Sequence, residues 1–318
     1  MNIGIEAMST RSLCATLVAV VGIFAGTAAQ AGTGVGVLGD SYSDEYQFYA
    51  PHRVSARNWV EILAKARSVD FGEFRTSSWD ETRNQGFAHN WARSGATSRD
   101  MIAVGQHAGL ARQVAQGDVS IAVIFVGGND FIDALHAPDP RRDLDGLGGR
   151  AFANVKLAAD TLLAASPGVK LLIATVPDVR DLPEFRDALR AGKLDPELAA
   201  KAAAEIDEFN DEVRRLASRG GRVAIFDFAR INRVSRAISP KFLVVGGRRI
   251  ERERAGDSPD RLFLGDARHL GTMGQGMIAK LMVETLNKKC GAGIKPLDER
   301  EVVAISDALA PSPLASDE

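Results

Sequence analysis

Five near-continuous apolar runs, spaced by stretches of helical periodicity, constrain this chain more than any other feature. They are "GVGVLG" at 34–39, a short run opening "FAHNWARSGATS" at 87–98, "VSIAVIFVGGND" at 119–130, "VKLLIATVPD" at 169–178 and "RVAIFDF" at 222–228. A strand that is apolar at every position has both faces buried. Strands of that kind separated by helices make a parallel sheet covered on both sides. The helical stretches run over 55–67, 98–117, 150–166, 196–218 and 272–289. In the first, Trp59, Val60, Ile62 and Leu63 suit one buried face, and Ser55 is placed to cap the N-terminus. In the second, Gly117 is placed to close the C-terminus. The predicted fold is α/β, with about five parallel strands. No shift in composition divides the chain, so one domain is expected.

Two stretches interrupt the alternation. Residues 136–150, "HAPDPRRDLDGLGGR", read as a Pro/Gly-rich loop. "KFLVVGGRRIER" predicts a small β-hairpin insertion near 241–253, turning at Gly246–Gly247. Residues 291–318 read as a polar C-terminal tail. Residues 1–31 differ from the rest: Arg11 precedes an apolar stretch from about Leu13 to Ala29, which closes in Ala29-Gln30-Ala31. That pattern predicts a secretory signal peptide cleaved after Ala31. Glu6 suits such a segment badly, and a start at Met8 rather than Met1 would remove it. An uncleaved anchor helix is the alternative, although the run is slightly short for a span. With the signal removed, the chain is expected to be secreted or periplasmic, with no stable membrane span and a domain at 32–290. Cys290 would then be the one cysteine, unable to form an internal disulfide and expected as a small buried apolar side chain. The formal net charge of −2 offers no basic excess for nucleic acid or an anionic membrane surface.

In a parallel sheet the carboxyl ends of the strands share one edge, where open α/β folds bind ligands. The polar residues expected there are Asp40 and Ser41 after the first run, Gly95 in the next loop, and Asn129 and Asp130 after the central run. Asp266 and His269 come from the loop before the last helix. Taken singly, each has a bland reading. Ser41 is as readily a helix cap as a reactive group, Asn129 can satisfy a turn, and His269 can be a surface histidine. Together they supply a nucleophile, a base that titrates near neutrality, a carboxylate to hold that base, and donors for an oxyanion. Asp40 and Asp130 are expected to brace their loops, and Asp44 and Glu45 to cap the next segment. Trp59, Trp79 and Trp91 are expected in the core or at its rim, with Trp79 also a candidate for the cleft. The histidines at 52, 89, 107 and 136 show no paired ligand spacing, so no metal site is predicted.

The blocks "GDS" at 39–41, the glycine loop around Gly95, "GGND" at 127–130 and "DARH" at 266–269 span essentially the whole mature chain. In this order they resemble the SGNH/GDSL hydrolase family. The resemblance implies a flavodoxin-like three-layer α/β/α sandwich and a catalytic triad of Ser41, His269 and Asp266. It also implies an oxyanion hole from the Ser41 and Gly95 N–H groups and the Asn129 side chain, and ester hydrolysis with no cofactor. Two departures stand in the blocks: Tyr42 replaces the leucine of the common GDSL pattern, and Leu270 follows His269 where many members have proline. Both bear on the shape of the pocket.

The function expected is a secreted serine ester hydrolase working through an acyl-enzyme on Ser41. Its substrate would be an acylated carbohydrate, a lipid or a small ester. The lack of a long apolar lid segment leans toward short acyl chains. Two readings of other kinds compete. A flavodoxin-like protein binding a phosphorylated ligand meets Asp40, Asp44 and Glu45 in its first loop, which repel phosphate. A catalytically idle carbohydrate-binding protein would be expected to lack a member of the triad, and none is missing.

Overall fold

The computed structural model describes residues 34–51, 53–77, 85–217 and 221–309. The signal segment at 1–31, His52, Trp79 and the last nine residues lie outside the described residues. In chain order the first elements are β1 (Val35–Gly39), α1 (Trp59–Arg67), β2 (Phe74–Arg75), β3 (Gly86–Phe87), α2 (Ser98–Ala103), α3 (Gln106–Gln116), β4 (Ile121–Phe125) and α4 (Gly128–His136). Then come α5 (Pro140–Leu144), α6 (Leu147–Ala165), β5 (Lys170–Ala174), α7 (Pro183–Arg190), α8 (Pro196–Leu216), β6 (Val223–Phe226) and α9 (Phe228–Ile238). The last are β7 (Phe242–Val245), β8 (Arg248–Glu251), α10 (Thr272–Thr285) and α11 (Glu299–Asp307).

Four strands form the central sheet in the order β1-β4-β5-β6, all parallel, with Val35 opposite Ile121 and Ile121 opposite Lys170. The expected fifth strand is reduced to an irregular edge. Residues 89–93 run beside β1, where Val37 N donates to His89 O, Trp91 N to Val37 O and Arg93 N to Gly39 O. Only the Val37–Asn90 pair forms a bridge. A turn from Phe87 to Asn90 breaks the run, and the Asn90 side chain is committed to Ser43 O and Ala92 N. Counting this edge, the order is 2-1-3-4-5, the flavodoxin-like arrangement, and its switch point lies where β1 meets β4.

Strand periodicity of two divides the core. Leu38, Ala122, Ile124, Leu171 and Ile173 face one layer with residues of α3, α6 and α8, including Leu110, Val155 and Phe209. Val35, Val37, Val123, Phe125, Leu172 and Phe226 face the other, with Trp59 of α1 and Ile278, Met282 and Val283 of α10. The continuous apolar runs are therefore explained: each strand residue meets a helix on one side or the other.

Several local expectations are corrected. Asn58, not Ser55, caps α1, through a capping box with Glu61. The helix expected over 98–117 is broken into α2 and α3 at Gly105, which takes a left-handed conformation. The loop at 136–150 contains α5, started by Asp139 as cap and Pro140 in the first turn. Residues 291–309 are more than a polar tail. Asp298 and Glu301 form a capping box for α11, and Leu297 and Val302 are buried in the second core. The hairpin β7–β8 turns at Gly246–Gly247 as expected, and Cys290 is buried. Among the described residues no helix is long and apolar enough to cross a membrane.

Candidate active site

Ser41 sits two residues past β1, with only 6% of its surface exposed. Its Oγ lies 2.8 Å from Nε2 of His269. On the other side of the imidazole, Nδ1 lies 2.6 Å from Oδ2 of Asp266. Residues from the two ends of the domain thus meet at the carboxyl edge of the sheet. Asp266 also accepts from the backbone N–H groups of Arg268 and His269 through Oδ1. Burial pushes its carboxyl up, but the imidazole hydrogen bond and charge and these two N–H groups outweigh it and hold the pKa at about 2. An ionised carboxylate can only accept, so the imidazole proton belongs on Nδ1 and a lone pair on Nε2 faces the serine hydroxyl.

The loop carrying Asp266 and His269 is closed on itself. Leu264 N donates to His269 O, and Ala267 N to Leu264 O, with Ala267 at φ 61°. From outside, Glu184 on α7 grips the Arg268 guanidinium with two hydrogen bonds of 2.8 Å. Tyr42 OH donates to Arg268 O at 3.2 Å. The imidazole and the Tyr46 ring stand nearly perpendicular, at 85° with centroids 6.2 Å apart, and the Tyr46 hydroxyl is held by Gln275.

Asn129 is the second residue of α4, which leaves β4 through Gly127 at φ 126°, a conformation side chains rarely adopt. One of its two amide N–H groups is committed to Ala96 O at 3.0 Å. Asn129 and Ser41 line one cavity of about 60 Å³, together with Tyr42, Phe125, Ile132 and Arg268. Gly95 does not line it. Its residue stands at φ +83° in a turn closed by Ala96 N on Arg93 O. The turn is tied to the serine loop by Asp44, which accepts from Ser94 N, and by Arg53, which reaches Ser94 Oγ at 2.7 Å and Ser41 O at 3.5 Å. Among the described residues, the Ser41 and Gly95 N–H groups have no hydrogen-bond partner.

The supporting acids divide in role. Asp40 accepts from Tyr42 N, and Asp130 takes both the N–H and hydroxyl of Ser98. Both therefore brace loops. Glu45 stands at the N-cap position of a short 3-10 turn, Tyr46–Phe48, but its side chain makes no capping bond there and holds Phe87 N instead, while Asp44 holds Ser94 N and Tyr49 OH. Sequence reasoning missed Arg53, which lies buried against the rings of Tyr49 and Tyr46, and the Glu184–Arg268 pair. No local pattern marks either one. Among the described residues, no group of three or more His, Cys, Asp or Glu side chains is arranged to hold a metal ion.

The sequence matches the family of GDSL-like lipases/acylhydrolases over residues 35–282. No curated protein matches it in sequence. Solved structures resemble it at a distance. A family 3 carbohydrate esterase of Clostridium thermocellum is 14% identical, covering 88% of this chain and 99% of its own, with a TM-score of 0.43. An extracellular lipase of Streptomyces rimosus is 16% identical, covering 81% and 99%, with a TM-score of 0.46. A phospholipase A1 of Streptomyces albidoflavus is 15% identical, covering 81% and 99%, also with a TM-score of 0.46.

Proposed function

This chain belongs to the family of GDSL-like lipases and acylhydrolases, and on that premise we propose that it is a secreted serine ester hydrolase in which Ser41, His269 and Asp266 act as the catalytic triad. The observation that carries the reading is the 2.8 Å approach of His269 Nε2 to Ser41 Oγ. In the first step His269 takes the hydroxyl proton while Ser41 Oγ bonds to the acyl carbon, and the carbonyl electrons move onto oxygen. The free N–H groups of Ser41 and Gly95 and the second amide N–H of Asn129 are the donors for that oxyanion. As the intermediate collapses, the ester C–O bond breaks and His269 gives its proton to the leaving alcohol. Water then repeats the sequence on the acyl-enzyme and releases the acid. Asp266, held ionised, stabilises the imidazolium formed in each half. The domain, extended past 290 by α11, would carry this chemistry, and export would rest on the signal-like pattern at 1–31.

The test is hydrolysis of p-nitrophenyl acetate by Ser41→Ala. Loss of turnover to background is expected. Wild-type rates from that variant would remove the nucleophile and with it this mechanism.

A further inference from the structure

The serine cavity adjoins a second one. A mostly apolar cavity of about 140 Å³ shares Tyr42, Pro177, Leu182 and Phe228 with it. Beyond that common wall it is formed by α9, the β7–β8 hairpin and α10, with Ile231, Leu243, Met277 and Leu281 in its lining. The Arg252 guanidinium, donating to Ser235 Oγ and Asn232 Oδ1, gives it one polar side.

Size and position suggest the occupant. The first cavity, about 60 Å³, has room for about two waters at ~30 Å³ each, the scale of an acetyl group. The second approaches the ~150 Å³ apolar cavity that takes up benzene, a six-carbon ligand. His269 lines neither cavity. Resting on the serine-hydrolase reading, a leaving alcohol must touch His269 to receive its proton. The acyl group instead stays bonded to Ser41, which lines the first cavity.

We propose that the two cavities form one acyl-chain site, with Tyr42 in the wall the chain passes, so that the preferred substrates are esters of acids of about six to eight carbons. The short acyl chains expected from the missing lid segment would leave the second cavity empty. The polar side at Arg252 and the limited volume set an upper bound on length, because methylenes pressed against that side offer nothing to the Arg252 Nε–H, which has no hydrogen-bond partner.

The experiment measures kcat/KM of the full chain on p-nitrophenyl acetate, butyrate, hexanoate, octanoate and palmitate. A second series holds the acid as acetate and lengthens the alcohol. Each methylene that enters apolar surroundings is expected to raise kcat/KM about fourfold, to a maximum between hexanoate and octanoate, with a fall at palmitate. The alcohol series should show no such rise. Met277→Trp fills the second cavity and should lower the octanoate-to-acetate ratio at least tenfold. Leu281→Ala widens it and should move the maximum to longer acids. A maximum at acetate, a rise that follows the alcohol instead, or an unchanged ratio in a folded Met277→Trp protein would overturn the proposal. If Ser41→Ala still cleaves the acetate, the hydrolase mechanism itself fails. If that variant is inactive while acetate remains the best substrate, only the acyl-chain site fails.

Discussion

Two aspartates beside the same serine are driven in opposite directions by their surroundings. Asp266 is held at about 2, because four favourable contacts from His269 and Arg268 outweigh its burial. Asp40 is pushed up to about 7. Burial dominates there; one N–H from Tyr42 and the charge of Arg53 offset it only in part, and Asp130 and Asp44 add to it. Asp130 is raised to about 6, again chiefly by burial. For stability the signs follow directly. Asp40 binds its proton more tightly folded than unfolded, so its contribution is present below about pH 4 and lost as pH rises through about 7. Asp266 does the reverse, and its contribution is lost only as pH falls toward 2. The melting temperature of the wild type is therefore expected to fall between about pH 4 and 7. Asp40→Asn should make that fall smaller, by a difference on the order of 4 kcal/mol at most. Asp130 titrates in the same sense and leaves a residual slope. Identical pH slopes in the two proteins would show that the Asp40 carboxylate is not buried at this cost.

At the scale of elements, the site depends on how firmly the short loop at 264–270 is held against the sheet. Its own backbone closes it, but the grip from outside comes from α7 through Glu184 and Arg268. Arg268 sits between Asp266 and His269, so a shift of its backbone moves both. A misplacement of about 1 Å in a reacting group can cost roughly 100-fold. Glu184→Gln keeps the size and loses the charge and one acceptor. It is expected to lower kcat about tenfold with little change in KM, and Glu184→Asp should recover less than half of the loss because its side chain is shorter. A change confined to KM would instead place Glu184 in substrate binding. This is also where the sequence was least informative. Ser41, Asn129, Asp266 and His269 could be read because each follows an apolar run or precedes a helix, where a scarce polar group stands out. Glu184 lies 84 residues from the arginine it holds, on an amphipathic helix where a glutamate is unremarkable. The fifth strand failed for a related reason: its apolar content is strand-like, but a turn and the Asn90 side chain take the hydrogen bonds a regular ladder would need.

Across the whole molecule, the fold class was legible because sheets buried on both faces leave continuous apolar runs, and β1, β4, β5 and β6 all do. The end of the domain was not, because α11 is polar on most of its surface and contributes only a few side chains to the core. The buried ones matter: Leu297, just before α11, is 2% exposed and Val302, within it, is 1% exposed. Truncation after Cys290 is expected to destabilise the protein by about 3–6 kcal/mol, at 1.5–3 kcal/mol for each large apolar side chain removed from the core, with a matching drop in melting temperature. An unchanged melt would mean that the domain closes without α11. The fold as a whole, on this account, brings a hydroxyl from just past the first strand to an imidazole from the loop before α10. Peptide mass spectrometry after treatment with a fluorophosphonate tests that most directly. The expected result is one adduct, on the peptide containing Ser41, lost in His269→Ala. Full labelling of another residue, or an ester-cleaving protein that takes up no label at Ser41, would contradict it.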